Sequence, residues 1–259
     1  MTTHGDLAAW IADLERRHLA DLTRTEVARA LRALSSTYVQ RRARLSGRGA
    51  FDTAGKRAAY ALYYGPRRYQ LVAHVVSALL AGDPPRTIVD AGCGTGAAGA
   101  AWAYQGGTGA RVLGLDAHPW AVEETRTTYR ALGVRGETRR CSLTAAREPA
   151  EWLRAGGPRA REAGGVVLSY VVNELDEATR QRLLPAVLAA AQAGTRILVV
   201  EPLSRRTSPW WPRWDRAIVA AGGRADEWRL ALALPETTVA LGRAAGLDPA
   251  ESTARTLLV

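Results

Sequence analysis

The chain has 259 residues, 47% of them hydrophobic and 23% charged. That composition excludes disorder as the main state and suits one α/β domain with an added element better than two full domains. The net charge of +10 rests almost wholly on arginine, Lys56 being the one lysine, which fits a polyanionic partner but equally fits the amino-acid usage of a GC-rich coding sequence.

Residues 1–83 read as a helical extension and 84–259 as an α/β unit. Leu7, Trp10, Ile11 and Leu14, then Leu19 and Leu22, then Val27, Leu31 and Leu34 recur at three- and four-residue steps, and Asp6 and Thr23 are predicted N-caps. Asp6, Asp13 and Glu15 stand where the apolar core of a signal peptide would lie, so the reading is cytoplasmic. Ser46–Gly55 reads as a loop. A second helical stretch covers about Lys56–Leu80, with Tyr60, Tyr63 and Tyr64 on one face and a break at Gly65-Pro66. Its apolar run, Leu71–Leu80, is interrupted by His74 and Ser77 and falls short of the roughly 20 residues that span a bilayer, so no membrane partner is expected.

Pro84-Pro85 marks a boundary. Beyond it, β-branched runs alternate with helix-period segments, the pattern of βαβ units and a parallel sheet. Strands are predicted at Thr87–Ala91, Arg111–Asp116, Gly136–Cys141, Val166–Tyr170 and Arg196–Glu201. Helices are predicted at Gly96–Gln105, Pro119–Leu132, Ala145–Leu153 and Asp176–Ala193. Pro202–Pro212, with three prolines, two tryptophans and Arg205-Arg206, reads as a loop. A helix over Trp214–Ala221, a strand over Glu227–Leu234, a helix over Glu236–Ala245 and a strand over Thr253–Val259 complete the reading.

The strongest signal is Ile88-Val89-Asp90-Ala91-Gly92-Cys93-Gly94-Thr95-Gly96. A buried strand runs into a turn with glycines at 92, 94 and 96, where backbone can approach a ligand with no Cβ in the way, and a helix N-terminus follows. A second strand ends in Asp116, 20 residues after Gly96, where a carboxylate can accept both ribose hydroxyls of an adenosine.

This stretch resembles the class I S-adenosylmethionine-dependent methyltransferases, whose first motif matches Val89–Gly96 and whose second matches Gly114-Leu115-Asp116. The resemblance covers roughly Arg86–Glu201. It implies a Rossmann-like methyltransferase fold, a mostly parallel six- or seven-stranded sheet between helices, here with an N-terminal helical lid. It also implies S-adenosylmethionine as cofactor, with Asp90, Gly92 and Cys93 near its amino acid end, Gly94 and Gly96 beneath its backbone, and Asp116 on its ribose. Ala117 and His118 would flank the adenine, and Ser142 stands where the superfamily often has an acidic residue near the adenine amine. A nicotinamide or flavin domain usually has glycine where Asp90 stands, because a pyrophosphate repels a carboxylate. A sulfonium and an ammonium attract one.

Ser169-Tyr170-Val171-Val172-Asn173-Glu174-Leu175 closes the fourth strand at the ligand edge of such a sheet. Tyr170 can offer a ring to a cation, and Asn173 and Glu174 can orient or deprotonate an acceptor. Equally, Asn173 and Asp176 can simply cap the next helix. This segment, Val199–Pro202 and Arg57–Tyr60 with Tyr69 are locally similar to the methyltransferase-like family associated with the small ribosomal subunit. That family's C-terminal cysteine cluster has no counterpart after Cys141.

Tyr38, Tyr60, Tyr63, Tyr64 and Tyr69 precede the glycine turn, and Trp210, Trp211 and Trp214 follow the fifth strand. Tyr60, Tyr63, Tyr64, Trp210 and Trp211 are candidate substrate contacts, with Arg68 and its neighbour Arg67 as carboxylate ligands. Tyrosines at helical spacing are also ordinary core. The four histidines, His4, His18, His74 and His118, lack metal-ligand spacing, and two cysteines exclude a disulfide framework or a four-cysteine zinc site, so no metal is expected.

The leading expectation is methyl transfer to a small molecule, plausible in specialised metabolism, with RNA the less favoured partner. One alternative is a ribosomal RNA methylase or assembly factor. Another is cyclisation of the cofactor itself, its amine attacking its own γ-carbon to give an azetidine ring and methylthioadenosine, as in azetidine-2-carboxylate synthases built on this fold. A degenerate binding scaffold is the non-enzymatic alternative, which the intact turn and both aspartates disfavour.

Overall fold

A computed structural model describes residues 4–40, 51–80, 85–105, 109–143, 164–204, 208–247 and 250–259, without the side chains of 4–6 and 37–40. The predicted helix over 145–153, the Tyr38 side chain, the 205–206 arginine pair and residues 46–50 of the predicted 46–55 loop lie outside them.

Helix α1 (His4–His18) starts ahead of Asp6, which therefore sits in its first turn rather than capping it. Thr23 does cap α2 (Arg24–Gln40). Its Oγ1 accepts the Glu26 amide at 3.3 Å while Glu26 Oε2 accepts the Thr23 amide at 2.8 Å, a reciprocal capping box. The predicted helix from Lys56 is three segments in continuous register: α3 (Ala54–Ala59), a π-turn (Tyr60–Tyr64) and α4 (Gly65–Leu79). Its chemistry follows from Gly65-Pro66. The Gly65 amide reaches back five residues to Tyr60 O. Pro66 has no amide to give Leu62 O, and that carbonyl instead accepts the buried Thr238 hydroxyl at 2.8 Å.

Seven strands form one sheet in the order β3-β2-β1-β4-β5-β7-β6. These are β1 (Thr87–Ala91), β2 (Arg111–Asp116), β3 (Arg135–Arg140), β4 (Gly164–Ser169), β5 (Arg196–Glu201), β6 (Arg224–Leu230) and β7 (Ser252–Leu258). The first five are parallel, and β7 pairs antiparallel with both β5 and β6. The order in which strands are added reverses between β1 and β4, so the carboxyl ends of these two parallel strands border the crevice where such sheets bind ligands. The sixth strand begins earlier than predicted, at Arg224, because the polar-apolar alternation of the β6 residues pairs with β7 while Leu232 and Leu234 continue beyond the ladder.

Along the central strands, successive buried side chains face opposite sides of the sheet. Ile88, Val112, Val167 and Leu198 face a core shared with α1, α2, α4, α5 (Ala97–Gln105) and α6 (Pro119–Ala131). Val89, Leu113, Val166 and Ile197 face α7 (Glu177–Gln192) and α8 (Trp211–Ala220) on the other side. Helix α9 (Glu236–Ala244) joins the first core through Leu241 and Ala245. The N-terminal helices thus share their core with the sheet. Among the described residues no helix is long and apolar enough to cross a membrane.

A buried ion cluster fixes α1 to α6. Arg17 grips Glu124 with two bonds of 2.8 Å, and His18 Nε2 lies 3.2 Å from the same carboxylate. Burial pushes the Glu124 carboxyl up, but the His18 and Arg17 hydrogen bonds outweigh it and hold it at about 2, below its ordinary 4.5. A depressed carboxylate contributes stability that is present above pH ~4.5 and disappears as pH falls toward 2. Glu124→Gln is expected to cost about 3 kcal/mol at neutral pH by leaving the half-buried Arg17 with Asp13 as its remaining carboxylate, and urea unfolding should show that difference shrinking as pH falls through this window.

Candidate active site

The turn between β1 and α5 is built as a backbone cradle. Gly92, Gly94 and Gly96 have φ of +73°, +56° and +75°. The amides of Gly92 and Cys93 donate to Leu115 O at 2.8 and 2.9 Å, which ties the turn to the end of β2. A Cβ on Gly94 would lie 2.9 Å from Tyr60 Oη, and one on Gly92 would lie 2.4 Å from Val171 Cγ2. Positive φ and close approach therefore both require glycine here.

Asp116 is the turn's acidic partner. Its Oδ2 accepts the Gly94 amide at 3.0 Å and its Oδ1 the His118 amide at 2.8 Å. Burial raises its carboxyl from its ordinary value. Asp90 lies beneath the turn rather than on the crevice: it is fully buried, its Oδ2 accepts the Gly99 amide of α5 at 2.9 Å, and burial pushes its carboxyl up to about 7. Cys93 also turns inward, its sulfur accepting Thr125 Oγ1 at 3.2 Å, and burial raises its thiol well above the ordinary value. Only its backbone faces a ligand, and the thiol is not reactive.

Beyond Asp116, Ala117 O accepts Arg140 Nε at 3.1 Å. His118 caps α6, its Nδ1 accepting the Trp120 amide at 3.1 Å. Burial lowers the His118 pKa, which agrees with the neutral ring that an accepting Nδ1 requires. Phe51 stands edge-on to His118, with ring centres 5.2 Å apart, and also meets Tyr60 and Trp120. This aromatic wall went unread in the sequence because Phe51 follows a glycine-rich loop with no periodicity. Ser142 is half-buried just after β3, next to Cys141, whose amide donates to Asp116 O at 2.8 Å.

On the far side of the turn, the π-turn and α4 bring Tyr60, Tyr64 and Arg68 against the end of β4. The Arg68 guanidinium lies 4.8 Å from the Tyr60 ring centre, 5.5 Å from Tyr64 and 4.6 Å from Tyr170, and Nη1 donates to Tyr60 Oη. Burial raises the phenols of Tyr60 and Tyr170, and that of Tyr64 to about 12, so all three are neutral rings. Tyr170 is the one non-glycine with positive φ among the described residues, at 60°. A bulky side chain held there signals a functional or packing constraint.

A cavity of about 290 Å³ opens beside this group at the carboxyl edge of the sheet. Of the predicted residues, Tyr63, Tyr64, Arg68, Tyr170, Asn173 and Glu174 line it, joined by Arg67, Glu201, Ser252 and others. The carboxylate of Glu201 is fully buried and accepts the Asn173 amide at 3.1 Å. Asp176 alone caps α7, accepting the Thr179 amide at 2.7 Å, so Asn173 is left for other work. Its Oδ1 accepts Ser208 Oγ at 2.7 Å and Trp210 Nε1 at 2.8 Å.

That last bond corrects the reading of the tryptophans. Trp210 and Trp211 are 6% and 7% exposed, pack with Trp214, and do not line the cavity. Pro212 is the reason. It occupies the first turn of α8, where a missing amide costs nothing, so the helix starts at Trp211 and carries the pair into the core. Their contribution to the site is indirect, through Asn173. Tyr60 likewise lies over Gly94 rather than on the cavity wall. Ser208 and Ser252 carried no sequence signal, since both reach the site through long-range returns of the chain.

No family's sequence profile matches the chain, and no curated protein matches it. Solved structures do. A putative O-methyltransferase from Nostoc punctiforme superposes with a TM-score of 0.51 at 15% identity, over 90% of this chain and 69% of its own. A precorrin-6y C5,15-methyltransferase from Geobacter metallireducens gives 0.48 at 12%, over 73% and 86%. An O-methyltransferase family protein from Burkholderia thailandensis gives 0.49 at 17%, over 81% and 60%.

Proposed function

We propose that this chain, whose fold is that of the class I S-adenosylmethionine-dependent methyltransferases, is an enzyme that binds S-adenosylmethionine on the Gly92–Gly96 turn and transfers its methyl group to a small molecule. The observation that carries this reading is the coupling of Asp116 to Gly94, which puts a carboxylate and a Cβ-free backbone side by side at the switch point of the sheet, with a cavity adjoining.

The residues present fit that nucleoside. Asp116 would take the ribose hydroxyls, Ala117 and His118 would flank the adenine with Phe51 closing its edge, and Ser142 lies within the same rim. The buried carboxyl of Asp90 braces α5, and its ionised form, disfavoured by burial, would be favoured by a sulfonium and an ammonium above the turn and opposed by a diphosphate. Arg68 and its three tyrosine rings stand between the turn and the cavity, where a guanidinium suits the cofactor's own carboxylate. The cofactor supplies an electrophilic methyl carbon. The protein's share is to hold an acceptor in line with it and to keep water out, work suited to the tyrosine walls. Glu174, exposed among the residues that line the cavity, would take the acceptor's proton. Asn173, locked by Ser208, Trp210 and Glu201, is placed to orient the acceptor.

The cavity gives an acceptor room, which favours transfer over closure of the cofactor on itself. Its size, at the lower end of the roughly 300–1,000 Å³ usual for ligand pockets, favours a small molecule over RNA. Incubation of the pure protein with S-adenosylmethionine, alone and with pools of small hydroxy and amino compounds, tests the reading. S-Adenosylhomocysteine that forms only with an acceptor present supports it. Methylthioadenosine that forms with no acceptor overturns it.

A further inference from the structure

Three side chains on the cavity wall carry buried donors with no acceptor among the described residues, and the Glu201 carboxylate lines the same wall. Arg67 Nη2 donates to Glu251 O at 3.0 Å, but its Nη1 is buried with no acceptor among the described residues. Ser252 Oγ, on a residue 3% exposed at the start of β7, is in the same position. So is Asn173 Nδ2, whose orientation is fixed because the Oδ1 of the same amide is saturated by Ser208 and Trp210. A buried donor without an acceptor is costly, and an apolar ligand would leave all three so.

Arg67 and Ser252 lie at one end of the cavity, joined through the Glu251 backbone. The Arg67 guanidinium is backed by the Tyr63 ring at 5.2 Å. Of the acids nearby, Glu251 turns to Arg229 at 3.3 Å, and Glu201 Oε1 accepts the backbone amide of Asn173 at 3.1 Å. Glu174 lies with Asn173 on the wall that leads to Tyr170.

We propose that the cavity takes a small organic acid, a hydroxy or amino compound whose carboxylate is held by Arg67 and Ser252 and whose nucleophilic oxygen or nitrogen faces Asn173 and Glu174. This assignment rests on the methyl-transfer reading above. A carboxylate supplies the several acceptor sites that a guanidinium and a hydroxyl leave open, in charge-assisted bonds. Repulsion by Glu174 keeps the same carboxylate from binding in the reversed direction, so the wall charges also set the ligand's polarity.

The test is calorimetry on the full chain saturated with S-adenosylhomocysteine, using two matched pairs, 4-hydroxybenzoate against 4-hydroxybenzamide and L-tyrosine against L-tyrosinamide. In at least one pair the acid is expected to bind about tenfold or more tighter than its amide. Arg67→Met should erase that gap with S-adenosylhomocysteine affinity unchanged, and Ser252→Ala, a milder change, should narrow it several-fold. Equal affinity within both pairs overturns the proposal, as does a gap that survives Arg67→Met. Loss of S-adenosylhomocysteine binding in Arg67→Met also overturns it, because Arg67 would then grip the nucleoside's own carboxylate. Failure of the unaltered chain to bind S-adenosylhomocysteine is read before any acid is added and overturns the underlying reading instead.

Discussion

Asp116→Ala is expected to weaken S-adenosylhomocysteine binding by about 100-fold. Two charge-assisted hydrogen bonds to ribose hydroxyls would contribute about 3 kcal/mol together, and each 1.4 kcal/mol is tenfold. The carboxylate also accepts the amides of Gly94 and His118, so part of the loss comes from a slackened turn. Asp116→Asn separates the two contributions. Its amide oxygen can still hold one of those backbone groups, yet it cannot accept from both hydroxyls. Calorimetry on both variants, with melting curves to confirm folding, checks this. An Asp116→Ala protein that keeps its affinity would remove the ribose from Asp116.

Gly94→Ala is expected to abolish measurable binding, a loss of more than about 100-fold, with a smaller cost to the fold. An L-residue in the left-handed region costs about 1–2 kcal/mol, and the added methyl would point at Tyr60 Oη, 2.9 Å away. The Tyr60 ring cannot easily yield, because Phe51, Trp120 and Arg68 pack around it. The methyl therefore narrows the space a nucleoside must enter. A variant that is folded by circular dichroism and binds normally would show that the turn is not the cradle.

Much of this site was legible because its signals are local. β1, β2 and β5 fall where β-branched runs bounded by Pro, Gly and acidic residues place them, and the glycine turn and Asp116 follow from fixed offsets along one βαβ unit. What stayed hidden depends on chain returns. The π-turn is set by Pro66, but it is made tolerable by Thr238, 176 positions away. The role of Asn173 depends on Ser208 and Trp210, and Ser252 joins the cavity only because β7 runs back antiparallel beside β5. The tryptophan pair was misjudged for a different reason. Proline density suggested a loop, whereas proline in a first helical turn is a start signal, and Pro212 was that signal.

On the reading proposed above, the β1 turn and Asp116 together hold an adenosyl amino acid rather than a dinucleotide. Titration calorimetry of the unaltered chain with S-adenosylhomocysteine and, separately, with NAD tests it most directly. Saturable binding of the first and none of the second is expected. Binding of NAD with no heat from S-adenosylhomocysteine would contradict it.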